Sequence, residues 1–297
     1  MVLIHTTSRS LELSHFDLRG HELTLFLNQA SRFAVPLFFL ISGFALTISN
    51  SQTGYKEFLK KRFSKVLVPY LFWSLFYYFL VYKDSDNLLK ALLTGSASYQ
   101  LYFIPSILIF YLIFPFLKKL TYLFKNKLII IFLFIIQILI LNFDYQYHAP
   151  LFPYPISVAM FNFFPFLIGI HMAKNQEFLK TLTKKFWPVF TILTLVLAVF
   201  IFNEGLSKYY QTWNYIYFYS QWRPSVLIYT ILVFLVLYLP VNKLPKAYLN
   251  LIKTLSSLSF FVFFIHIVIL ESIYKYLYKS DIIFFSAVSG ISASIPI

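Results

Sequence analysis

Apolar residues run in stretches of roughly 16 to 20 along the whole chain, each about the length a helix needs to cross the hydrocarbon core of a bilayer. The stretches fall near 33–49, 66–82, 99–117, 127–142, 155–172, 186–202, 224–241, 256–274 and 282–297, and short polar segments carrying nearly all the lysines separate them. The pattern predicts an all-α, polytopic transmembrane helical bundle of about nine spans. Pro105, Pro115 and Pro165 fall inside spans, where neighbouring helices can re-satisfy the freed backbone groups. Neither an internal repeat nor a low-complexity linker interrupts the chain, so residues 1–297 are expected to form one membrane-embedded domain.

Composition narrows the function classes. Charged residues make up 12% of the chain and hydrophobic ones 59%, whereas a soluble domain carries about 25% charged residues; an ordinary soluble enzyme is excluded. The 25 Lys+Arg against 11 Asp+Glu are not spread as a nucleic-acid footprint. The polar segments around 56–65, 118–127, 174–185 and 243–253 hold 16 of the 25 cations, and the alternate set holds 9. By the excess of positive charge on cytoplasmic loops, the first set faces the cytoplasm of a multi-pass plasma-membrane protein, and the carboxyl terminus is expected there too. Most carboxylates, among them Glu12, Glu22, Asp144 and Glu204, fall on the opposite side. The absence of cysteine removes disulfides, thiolate ligands and a cysteine nucleophile. With no ligand-like spacing of histidines or carboxylates, and no Gly-rich turn before a helix, neither a metal site nor a phosphate loop is expected.

Polar groups at membrane depth are costly, so each is a candidate for function. His5 ends the apolar scrap Met1–Ile4 at the outer level; as an imidazole it is either an interfacial side chain or a general base. Ser42, in the small Ser42-Gly43 pair of the 33–49 span, permits close helix packing or contact with substrate. Arg62 and Lys65 stand three apart on one helix face at the cytoplasmic side, either as a topology signal or as a cradle for phosphates. Trp222 and Arg223, at an outer span end, are an interfacial anchor or a place where a glycan stacks and hydrogen-bonds. His266 is embedded in a late span and reads more readily as a bundle-facing hydrogen-bonding residue than as a catalyst, while His171 and His148 read as interface or solvent residues.

Taken together these segments resemble acyltransferase family 3, integral membrane proteins that move acyl groups from acyl-coenzyme A to sugars of surface polysaccharides. Leu3-Ile4-His5 resembles the end of that family's first helix. Val35 to Phe44 resembles its proline, Phe-Phe and Ser-Gly-Phe stretch, and Phe58 to Tyr70 its basic stretch ending in Pro-Tyr. Tyr102-Phe103-Ile104 to Tyr111 and Pro115 is similar to its aromatic segment, and Ser257 to His266 to its late Leu-Ser-Phe-aromatic-His signature. The resemblance implies ten helices with both ends cytoplasmic, once a first helix is restored upstream, and a chain expected to begin within that helix, without the Arg that precedes the family's histidine. It also implies His5 as catalytic base and Arg62 as the group engaging the acyl donor, with Lys65 in place of a second Arg. Acetyl-coenzyme A is the donor so implied, an exported polysaccharide the acceptor and the bilayer the setting; no permanently bound cofactor is implied. Two other readings stay open: a transporter of lipid-linked sugar or polysaccharide, and a non-catalytic partner of a polysaccharide-synthesis complex.

Overall fold

The computed structural model describes residues 1–13, 21–49, 54–82, 87–147, 152–238 and 245–278, and the described residues form helices without strands. In chain order these are α1 (Val2–Leu13), α2 (Glu22–Ala30), α3 (Ala34–Ser49), α4 (Tyr55–Phe76), α5 (Leu88–Thr94), α6 (Phe103–Leu120), α7 (Lys127–Tyr147), α8 (Tyr154–Phe161), α9 (Phe163–Lys174), α10 (Gln176–Thr212), α11 (Tyr215–Tyr219), α12 (Pro224–Leu237) and α13 (Lys246–Tyr278). Seven helical segments are long and apolar enough to cross a bilayer, and the α8–α9 pair, bent by 46°, makes an eighth. Eight of the nine expected spans are thus present as helices; the stretch 282–297 lies outside the described residues. The helices overrun the apolar windows. The segment before residue 33, which the apolar windows leave outside any span, contains α2, which continues into α3 as one span from Glu22 to Ser49. α10 and α13 reach 37 and 33 residues, because helical hydrogen bonding carries on into flanks that are polar yet good helix formers.

Aromatic and aliphatic side chains fill the bundle. Phe39, Phe110, Phe114, Phe166 and Phe264 are almost fully buried, and the Phe110 and Phe166 rings stack at 4.3 Å. On the perimeter, α7 exposes Leu128, Ile131, Phe132, Ile135 and Leu139, and α10 exposes Ile192, Leu195, Val196 and Val199. Those faces are what lipid requires, since acyl chains rather than water cover them.

The closest helix contact is between α3 and α9. A Cβ placed on Gly43 would collide with the backbone carbonyl of Phe166, and one on Gly169 with that of Leu40. The glycines are reciprocal, each making room for the other helix's backbone. Of the Ser42-Gly43 pair, Gly43 is therefore a packing residue, and Ser42 is partly buried beside it. The break between α8 and α9 is repaired by α7: Gln137 Nε2 donates to the Phe161 carbonyl at 3.1 Å, and its Oε1 accepts from the Phe164 backbone N–H at 3.0 Å. A single amide thus satisfies one acceptor and one donor at the bend.

Candidate active site

The half of the bundle away from the basic segments holds the polar groups that the sequence scatters. α1 is short, yet it is tied to α2 by Asn28, whose Nδ2 donates to Thr7 Oγ1 at 2.9 Å and to Ser8 Oγ at 3.0 Å. Tyr274 on α13 donates its hydroxyl to the Thr6 carbonyl at 3.4 Å, and Arg9 lies over the Tyr274 ring with its Nη2 4.0 Å from Glu271. These contacts turn the first coil of α1 toward α13 and bring His5 against His266, with ring centroids 5.2 Å apart. On another side His5 meets Tyr99 edge-on at 4.9 Å. From the helix rise, His5 lies about 12 Å from the Leu13 end of α1, and His266 about 18 Å from the Tyr278 end of α13. The two histidines share one depth, although 260 positions of sequence separate them.

Their surroundings are polar and specific. His266 Nδ1 is 3.0 Å from the Val262 carbonyl; a carbonyl can only accept, so Nδ1 carries the proton and Nε2 presents its lone pair. That Nε2 is buried and has no hydrogen-bond partner among the described residues. Tyr99 lies in the segment joining α5 to α6 and sets its phenol ring against His5. Arg32, in the turn between α2 and α3, is buried and bonded to Asn28, the residue that ties α1 to α2. Its Nη1 donates to the Tyr219 carbonyl at 2.7 Å, its Nη2 to Asn28 Oδ1, and its Nε is buried with no partner among the described residues.

A second guanidinium backs the first. Arg223 is 0% exposed and donates to the Ile201 carbonyl, to Glu204 Oε2 at 3.3 Å and to Gln29 Oε1 at 2.5 Å. Ser225 closes on the same Glu204 oxygen at 2.5 Å. Gln29 also donates to Asn28 and to the Phe218 carbonyl, so a continuous chain of hydrogen bonds runs from Glu204 through Arg223, Gln29 and Asn28 to Arg32. A buried cation is tolerated when it is paired and hydrogen-bonded, and this chain meets that condition.

The sequence-based candidates are dispersed by the fold. His5 sits in the cluster. Trp222 and Arg223 lie at the outer side but are buried, Trp222 against Phe161 at 5.2 Å and Arg223 within the network just described. Arg62 lies at the inner end, where its Nη2 donates to Ser49 Oγ at 2.8 Å and its guanidinium approaches the Phe58 ring at 5.9 Å. Lys65, one turn on, is exposed. Arg32 and Tyr99 escaped the sequence reading because no local spacing links either to His5. No group of three His, Cys, Asp or Glu residues able to hold a metal ion occurs among the described residues.

Comparison with known proteins adds the lineage. Two relatives from Staphylococcus aureus strains N315 and MRSA252, each called probable poly-beta-1,6-N-acetyl-D-glucosamine export protein, are 25% and 24% identical over 97% of this chain and 85% of their own. One of the same name from Staphylococcus epidermidis is 25% identical over 86% of this chain and 74% of its own. No solved structure matches. The family model for the acyltransferase domain of acyltransferase family 3 matches residues 1–297, and the chain belongs to that family.

Proposed function

We propose that the protein is a plasma-membrane O-acyltransferase that moves an acyl group, acetyl in the simplest case, from acyl-coenzyme A to a hydroxyl of an exported polysaccharide. The observation that carries the reading is the position of His5: a histidine at bilayer depth in an acyltransferase-family chain, with a second imidazole, a phenol and a buried guanidinium around it. The acyl donor enters from the cytoplasm with its phosphates against Arg62 and Lys65. Arg62 stands about 22 Å of helix rise before Tyr77, whose hydroxyl reaches the Phe264 carbonyl two positions from His266, and the donor's flexible pantetheine arm has to reach across that gap.

The acceptor hydroxyl arrives from the outer side. Its oxygen attacks the thioester carbonyl carbon as its proton passes to His5, because an alcohol is too weakly acidic to attack unaided. Negative charge develops on the former carbonyl oxygen, and Arg32, a fixed cation whose Nε–H has no partner among the described residues, stabilises it. The carbon–sulfur bond then breaks, and the departing thiolate takes the proton back from His5. The products are the sugar ester and free coenzyme A, with His5 neutral again.

The test is the ester-linked acyl content of the surface glycan in the native host, with His5→Ala on the chromosome at matched protein level. Loss of esters with the glycan retained is the expected result; unchanged esters would overturn His5 as base. Export of the polymer is the second reading, favoured by the relatives' names. Loss of surface glycan with its ester content unchanged would support it.

A further inference from the structure

His266 has one acceptor site that the folded chain leaves empty. Its Nδ1–H is spent on the Val262 carbonyl, which fixes the tautomer and the ring orientation and points the Nε2 lone pair away from its own helix turn. The residue is 6% exposed and Nε2 has no partner among the described residues. A buried acceptor without a donor loses the hydrogen bond it made to water when unfolded, so such an atom is a place for a donor from outside the chain. Beside its ring lies that of His5, at 5.2 Å between centroids and tilted by 36°.

We propose that His266 is a substrate-binding residue that accepts a hydrogen bond from the hydroxyl next to the one being acylated, so that the two histidines together hold a vicinal diol. The inference rests on the acyl-transfer reading given above. His5 takes the proton of the reacting hydroxyl, whereas His266 Nε2 accepts from its neighbour and gives up no proton of its own. Two imidazole rings with neighbouring centroids can each accept from one of two adjacent hydroxyls of a single sugar ring. An acceptor with a single free hydroxyl, or with its neighbour methylated, leaves His266 unpaired. It is discriminated against because a buried polar group of the site is then stranded. His266 thereby sets which sugars are accepted and which of two neighbouring positions receives the ester.

The probe is a β-1,6-linked N-acetylglucosamine pentasaccharide, whose rings keep adjacent 3- and 4-hydroxyls free. The full chain is reconstituted in lipid nanodiscs with ¹⁵N-labelled histidine and supplied with acetyl-coenzyme A. His266→Phe is expected to raise KM for the pentasaccharide about tenfold, the worth of one hydrogen bond, and to scatter the ester between positions 3 and 4. His266→Gln, which restores an acceptor oxygen, is expected to recover part of both. The His266 Nε2 signal of the unmodified protein should move toward the hydrogen-bonded range when the pentasaccharide is added, and should stay put with its 3,4-di-O-methyl derivative. Unchanged KM and ester position in a folded His266→Phe protein would overturn the proposal, as would a stationary Nε2 signal. If no acetyl is transferred by the unmodified protein but the Nε2 signal still moves, the acyl-transfer reading fails while the sugar contact stands.

Discussion

The chemistry is concentrated in side chains that the sequence keeps far apart. In the proposed reaction Arg32 acts on the oxyanion through its charge and an Nε–H that has no partner among the described residues, while Nη1 and Nη2 are held by the Tyr219 carbonyl and Asn28. Arg32→Lys keeps the charge but loses the planar fork and the Nε–H. Removing one oxyanion donor typically lowers turnover by about two to three orders of magnitude, so kcat for acyl transfer should fall by that factor with KM for the acceptor little changed. A proportionate rise in KM instead would make Arg32 a binding residue. His5 was legible as a candidate because the neighbouring motifs resemble those of the family, although the sequence read alone put it at the outer level and the structure sets it in the first coil of α1, packed inside the bundle. Its surroundings were not. Tyr99, Arg32 and His266 reach His5 only because Asn28, Thr7 and Tyr274 tie α1 against α2 and α13, and no periodicity in the chain encodes such ties.

At the scale of elements, the long apolar runs named nine spans, eight of which fall on described helices, because the need to satisfy backbone groups in lipid leaves a helix as the one open-ended solution. What they did not show is where helices break or overrun. The α8–α9 bend depends on Gln137, 24 residues before Phe161 in sequence and on another helix. Gln137→Leu strands the Phe161 carbonyl and the Phe164 N–H at bilayer depth. Interhelical hydrogen bonds in membranes are modest, but stranded partners add to the loss, and a destabilisation of about 1–3 kcal/mol is expected. Thermal unfolding of the detergent-solubilised protein, followed by circular dichroism, reads it directly. Gly169→Leu should be harsher: the side chain would have to enter the space of the Leu40 backbone, and overpacking at a backbone contact forces α3 and α9 apart. The variant is expected not to accumulate in the membrane, whereas Leu at the exposed position Ile192 should be tolerated.

For the whole molecule, the positions of the charges and of the histidines must agree on one orientation. The basic segments at 56–65, 118–127 and 174–185 lie at the ends of spans opposite to the ends that gather around His5 and His266. In the orientation expected from the charge asymmetry those segments face the cytoplasm, and the proposed reaction then has the histidines in the outer half, with a polysaccharide met there and acyl-coenzyme A reaching across from the other side. The reverse orientation would give the donor a short path and leave the acceptor on the wrong side. The lack of native cysteine makes the orientation directly measurable, because each introduced cysteine is the sole thiol in the chain. Lys180→Cys and Lys208→Cys sit at opposite ends of the same helix, α10. In intact cells a membrane-impermeant maleimide should label the Lys208→Cys protein and spare the Lys180→Cys protein until the membrane is permeabilised. The opposite pattern would invert the bundle and withdraw the assignment of Arg62 and Lys65 to a cytoplasmic donor. Labelling at both positions in intact cells would mean that α10 does not span.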